Sequence, residues 1–179
     1  LFRSAYAREF IRMFGYTKFE AVINFEGYSQ FWAAVIAFAP ETSAKSKAIY
    51  LHNDMHGEWR VRFSYLESVL RIYDRHDGLI SVTESINDEN TQNLSALFDI
   101  PASKFKYCDN TLLPENIRSL AKAPLPADKP EWLGSPECKV FVSMGRLSKE
   151  KDHRKLIDAF SEIHDIYPQT RLMIIGDGP

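Results

Sequence analysis

Cysteine is nearly absent: the 179 residues hold only Cys108 and Cys138. Their spacing matches neither CxxC nor a metal-ligand pattern, so a reducing, cytoplasmic compartment is the simpler expectation, with a single disulfide left open. Basic excess is missing as well. With a net charge of -2 and a pI near 6.2, the chain lacks the cationic surplus that nucleic-acid binding by counterion release requires, and no nucleic-acid partner is expected. No apolar run approaches the ~20 residues of a membrane-spanning helix; the stretch from Phe31 to Ala39 is too short and is interrupted by small residues. There is no repeat of fixed period and no low-complexity segment.

What remains is the texture of an α/β protein. At 45% hydrophobic the chain can bury a real core. "FEAVINFEG" (19 to 27) reads as a buried strand ending at a glycine turn, and "YSQFWAAVIAFAP" as an apolar helix closed by Pro40. "KAIYLHND" predicts a second strand with a polar edge, Glu58 to Tyr73 a helix with one apolar stripe, and "GLISVT" a third strand. A polar helix, "ESINDENTQNLSALF", and a short strand, "KFKYC", follow. Strands alternating with helices at this spacing predict a parallel sheet covered on both faces.

Four of the nine prolines, at 124, 126, 130 and 136, then fall within thirteen residues. Proline fixes φ and removes backbone donors, so this segment is expected to be a semi-rigid connector. Beyond it the pattern restarts at "KVFVSMG" and runs through a loop and an amphipathic helix to the strand "RLMIIG". In open parallel sheets ligands bind at the carboxyl ends of strands, where Gly145, Arg146 and Lys151 fall. Gly145 permits a close turn, Arg146 offers a planar fork and Lys151 a compact charge, a combination suited to a diphosphate near a helix start. Solvated surface cations paired with neighbours such as Glu150 are the competing reading of the same residues.

The extended wording "FVSMGRLSKEKDHRKLIDAFSEIHDIYPQTRLMIIGDGP" resembles the start of the second domain of retaining glycosyltransferases of the GT-B fold, especially the large group called family 4. The resemblance rests on the strand into Gly145-Arg146, Lys151 five residues later, the Leu156-Ile157-Ala159-Phe160 helix face, the Pro168 turn and "LMIIGDGP". It implies two Rossmann-like parallel-sheet domains, both incomplete here: residues 1–120 as the later part of an acceptor-side domain, 121–138 as the proline-rich linker, and 139–179 as the start of a nucleotide-sugar-binding domain. It further implies that Gly145, Arg146 and Lys151 hold the donor diphosphate, and that the two cations stabilise it as it leaves.

More loosely, "KAIYLHND" resembles the acceptor-domain strand whose end carries a catalytic His, which would be His52 beside the transferred sugar; a strand-end His bonded to Asn53 or Asp54 is the plainer alternative. Asn53, Asp54, Glu84 and Asn110 are further cleft candidates, although many relatives have Gly where Thr111 follows Asn110. A metal reading of His52, Asp54 and His56 lacks a recognised zinc spacing, so no metal and no cofactor are expected. His153 and His164 read as helix-surface residues, and Trp32, Trp59 and Trp132 as packing residues that could also stack on sugars.

The activity this resemblance implies is sugar transfer, with retention, from a nucleoside diphosphate donor to a cell-envelope polysaccharide, a teichoic-acid-like polymer or a glycolipid. A sugar-nucleotide epimerase and a noncatalytic nucleotide- or carbohydrate-binding scaffold are the alternatives. The glycine loop and the paired glutamates usual in the family are not in this sequence. With Leu1 first and "GDGP" last, the chain is expected to be a fragment inactive alone, whose parent works in the cytoplasm or at the inner face of the plasma membrane, touching the membrane through regions outside this chain.

Overall fold

The structure is a computed structural model that describes residues 2–125 and 127–178. Pro126 of the linker and the final Pro179 of "GDGP" lie outside the described residues. The chain divides into two units, Leu1–Leu112 and Leu113–Pro179. Each is α/β with its own all-parallel sheet of Rossmann-like type.

In the first unit, helix α1 (Phe2–Phe14) precedes strand β1 (Phe19–Asn24), helix α2 (Gln30–Ala37) and strand β2 (Ala44–Leu51). After a short helix α3 (Met55–Gly57) and helix α4 (Leu66–Leu70) come strand β3 (Gly78–Ser81), helix α5 (Glu84–Leu94) and strand β4 (Phe105–Tyr107). The strands lie in the order β1-β2-β3-β4, every pair parallel. Helix starts follow from local chemistry. Ser29, Asp54 and Thr83 each turn a side-chain oxygen onto a free N–H of the first turn of α2, α3 and α5.

Stepping in one direction along a parallel sheet with right-handed crossovers places every crossover helix on one face. Ile49, Leu51, Leu79 and Phe105 accordingly point into a core with Ala33, Leu66, Val69, Leu70, Tyr73 and Leu94. The expected cover on both faces is not what the described residues form. Ile23, in register with Ala48, is 51% exposed, and Phe25 beyond it is 58% exposed. Alternation explains the pattern: residues two apart share a face, so the Ile23 row and the Ile49 row point opposite ways.

The single helix expected from Glu58 to Tyr73 is also broken. Glu58–Arg62 forms a π-turn closed by Phe63 N–H on the Glu58 carbonyl, and Phe63 then leaves helical space at φ -129°, ψ 77°. Leu66, Val69, Leu70 and Tyr73 are buried as the stripe predicts, but Val61 is 83% exposed because the wider turn rotates it away. Helix α1 had no counterpart in the sequence reading. It packs Phe10 against Val35, Ala39 and Ala44.

The second unit opens with helix α6 (Pro114–Leu120), also unforeseen, whose first residue is proline, as suits a position with no N–H to lose. Short turns recur among the described residues of the linker before strand β5 (Lys139–Met144). Helix α7 (His153–Ile166) then crosses over to strand β6 (Thr170–Ile175), which pairs with β5 in parallel. Phe141 and Phe160 meet edge-on at 5.7 Å, joining sheet to helix. No helix of the described residues is long and apolar enough to cross a membrane.

Candidate functional site

The loop after β5 carries the two cations. Lys149–Lys151 winds into one turn of 3-10 helix, and Asp152 follows at φ 43°, ψ 51°, the left-handed region that few non-glycine residues adopt. From there α7 begins, with the Asp152 carboxylate accepting the N–H of Lys155 at 3.4 Å and pairing with the Lys155 ammonium at 3.3 Å. The anion-favouring start of α7 is thus already capped by an acid of the chain itself.

The Lys151 stem runs over Gly145, where a Cβ would stand 3.8 Å from its Cε. That is ordinary van der Waals contact, so the Lys151 stem lies against Gly145 and brings a second cation to the loop that carries Arg146. The Arg146 guanidinium is 78% exposed and reaches the Glu150 carboxylate at 3.3 Å. Both sequence readings of Arg146 therefore have a physical counterpart: it is paired with Glu150, and it remains open to an incoming anion.

This loop is braced from behind. The N–H of Gly145 donates to the Ile175 carbonyl at 2.9 Å, and that of Leu147 to the Asp177 carbonyl at 3.0 Å. A Cβ on Gly176 would lie 1.8 Å from the Gly145 carbonyl oxygen, so the two loops touch backbone to backbone. His153, expected on the helix surface, instead turns its ring back seven residues, with Nε2 3.0 Å from the Arg146 carbonyl. Its Nδ1 is buried without a partner. His164 is likewise half-buried, stacked on Phe160 and facing Thr170 Oγ1 at 3.4 Å.

In the first unit the candidates gather at the carboxyl end of β2. His52 Nε2 lies 2.5 Å from the Phe25 carbonyl, and its ring packs edge-on to Phe25 and stacks near Tyr50. The partner of His52 is thus Phe25, not Asn53 or Asp54. A carbonyl only accepts, so Nε2 is the donor in this contact and Nδ1 is the ring nitrogen left for another partner. Phe25 is carried there because Gly27 turns at φ 78°; a Cβ on Gly27 would strike the Tyr50 carbonyl at 2.2 Å.

Asn53 donates to the Tyr28 hydroxyl at 2.7 Å, while both Asp54 oxygens accept N–H groups, from His56 at 3.0 Å and Gly57 at 2.9 Å. That use of Asp54 leaves it a capping residue. Among the described residues no group of three or more His, Cys, Asp and Glu side chains is arranged to hold a metal ion. Glu84 is exposed at the start of α5, behind the Thr83 cap.

Asn110 lines a shallow cavity of about 400 Å³ with Phe25, Tyr50, Cys108, Asp109 and Thr111. A hydrogen bond with the Cys108 side chain, helped by slight burial, pushes the Tyr50 phenol above its ordinary pKa. Both cysteines are free. Trp59 packs on the core and against Phe98 at 5.5 Å, the packing use of tryptophan, while Trp32 is 41% exposed.

Two supporting residues were not foreseen. Asn90 is fully buried and accepts the Met55 N–H at 2.9 Å while donating to the Asn53 carbonyl at 3.0 Å and to Ser81 at 3.3 Å. It ties the loop after His52 to β3 and α5. An asparagine inside a polar helix gives no sequence signal of such a role, whereas His153 stood one residue past a helix cap and could have been suspected of bonding back.

No family model matches the chain. Ninety residues, half of the chain, are 29% identical to an uncharacterised glycosyltransferase of Methanocaldococcus jannaschii, covering 22% of that protein. Forty residues, 22% of the chain, are 45% identical to an alpha-monoglucosyldiacylglycerol synthase of Acholeplasma laidlawii, covering 10% of it. The matched stretches thus span less than a quarter of either relative's own length.

Proposed function

We propose that the polypeptide is a glycosyltransferase of the GT-B, family 4 kind, moving a sugar with retention from a nucleoside diphosphate donor to an acceptor of the cell envelope. The observation that carries this reading is the cationic corner at the carboxyl end of β5, where the Lys151 stem crosses Gly145 beside the exposed Arg146 fork. The partial likeness to two proteins named as sugar-transferring enzymes supports it, and the diacylglycerol in the second name favours a glycolipid acceptor.

The chemistry follows from the residues. As the bond between sugar and phosphate lengthens, negative charge grows on the diphosphate, and cations already in place stabilise that charge more than they stabilise the bound substrate. Arg146 takes two phosphate oxygens, displacing Glu150, and Lys151 adds a point charge. His52, its proton held on Nε2 by the Phe25 carbonyl, presents the Nδ1 lone pair as an acceptor for a sugar hydroxyl. Asn53, Asp54 and Glu84 lie near the same end of the sheet, and the cavity at Asn110 offers an aromatic wall with polar neighbours. No metal is needed for charge neutralisation in this scheme.

Calorimetric titration of UDP-, GDP-, ADP- and CDP-linked sugars into the natural polypeptide and its Arg146→Ala variant tests the reading. One donor is expected to bind at micromolar Kd and to weaken at least tenfold in the variant, about 1.4 kcal/mol. Equal binding by both proteins, or no binding of any donor, overturns it.

A further inference from the structure

The Arg146 side chain is exposed and meets only the Glu150 carboxylate among the contacts described above, whereas its peptide is held from several directions. The residue before it donates to the Ile175 carbonyl at 2.9 Å, and the residue after it donates to the Asp177 carbonyl at 3.0 Å. The carbonyl of Arg146 itself faces His153 Nε2 at 3.0 Å. The first two contacts continue the pairing of β5 with β6. The third comes from a different element, the first residue of α7, and it is a side-chain contact that needs a donor of suitable reach at position 153.

The local backbone is shaped for this contact. Asp152 sits in the left-handed region at φ 43°, an unfavourable conformation for a residue with a Cβ, and that bend starts α7 just where the His153 ring can reach back. Because the carbonyl only accepts, the proton is on Nε2. Nδ1 is buried with no partner, so nothing competes for the other tautomer's proton. The His153 contact thus ties the Arg146 peptide to the start of the same helix whose preceding turn carries Lys151.

We propose that His153 is a positioning residue: by donating Nε2–H to the Arg146 carbonyl it fixes the Arg146 peptide against α7, and so preorders the backbone from which the guanidinium fork meets a diphosphate. This deepens the proposed donor site and rests on that reading. His153 need not touch the ligand. Its effect is preorganisation, since a loop already in its bound shape loses less freedom when the anion arrives.

The test uses inorganic pyrophosphate as probe, titrated into the natural polypeptide, with His153→Leu, His153→Gln and Arg146→Ala variants. Leucine fills a similar space without a donor, whereas the glutamine amide can still donate to a carbonyl. His153→Leu is expected to weaken pyrophosphate five- to twentyfold, and His153→Gln to restore binding to within threefold of the parent. Long-range proton–nitrogen NMR of the parent's imidazole is expected to show the Nε2–H tautomer, a readout that stands even where a variant folds poorly. Parent-like binding by the leucine variant, equal loss in both His153 variants, or an Nδ1–H tautomer overturns the His153 role. If Arg146→Ala weakens binding in that same series, the donor-site reading survives this loss; if it binds like the parent, the donor-site reading itself falls.

Discussion

A Cβ placed on Gly176 would lie 1.8 Å from the carbonyl oxygen of Gly145, the closest approach that any glycine of the second unit makes to another loop. Both partners are backbone, so neither can rotate aside. The loop that carries Arg146 therefore takes its shape from the loop that ends β6, and the two glycines form one structural feature although thirty-one positions separate them.

Gly176→Ala is expected to destabilise the second unit by about 1–3 kcal/mol, because the extra methyl forces the loops apart. Thermal unfolding measures it, and donor titration should show a parallel loss as Arg146 is displaced. Gly178→Ala, whose Cβ would meet Leu147 backbone atoms at 2.9 to 3.1 Å, should have a smaller effect in the same direction. An unchanged melting temperature in Gly176→Ala would show that the loops separate without cost.

The Glu150 carboxylate pairs with the Arg146 guanidinium at 3.3 Å. An exposed pair of this kind contributes about 0–1 kcal/mol. Glu150→Gln is thus expected to leave stability nearly unchanged while tightening diphosphate binding two- to fivefold, as the competitor for the guanidinium loses its charge. Calorimetry at low and moderate salt checks this, and weaker binding in the variant would mean that Glu150 supports the site.

Asn90 should be among the least replaceable residues of the first unit. Leucine there would leave the Met55 N–H and the Asn53 carbonyl without their buried partner, each at about 1–3 kcal/mol. The expected outcome for Asn90→Leu is a markedly lower melting temperature and faster proteolysis of the loop from His52 to Asp54. Parent-like stability would mean that water replaces the amide.

His76 is fully buried, and neither ring nitrogen completes a hydrogen bond. Burial lowers its pKa from the usual 6.5 to about 4, with the nearby Lys47 and Lys104 charges adding to the effect and the Ile72 backbone and Asp77 opposing it. The folded state thus resists a proton that the unfolded chain accepts. Stability is unaffected by this group above pH 6.5, then falls as pH drops from 6.5 towards 4. His76→Phe should flatten that acid limb of a plot of melting temperature against pH; an identical limb in the variant would assign it to the carboxylates.

The order of the six strands was legible in the sequence because it rests on local chemistry, short apolar runs such as "AVIN" and "AIYL" set off by polar and turn residues, whereas helices α1 and α6 were not. Gly145, Arg146 and Lys151 were legible for the same reason, since a glycine and two cations at the end of a predicted strand lie close in the chain. Contacts across many residues were not. Whether one face of the first sheet is open depends on the direction in which the chain steps along it, and apolar residues occur on both sides of β1 and β2. The π-turn at Glu58–Arg62 broke a stripe whose spacing suited one continuous helix.

Sequence alone determined the α/β class, the order of the strands and the chemical character of the cationic loop, all of which depend on neighbours a few residues apart. Only the tertiary structure decided that Phe25 holds His52, that Asn90 anchors the loop beyond it, that His153 reaches back to Arg146, and that Gly176 backs Gly145. These pairs are separated by seven to thirty-seven residues, and no local propensity encodes a meeting that exists only once the sheets have formed.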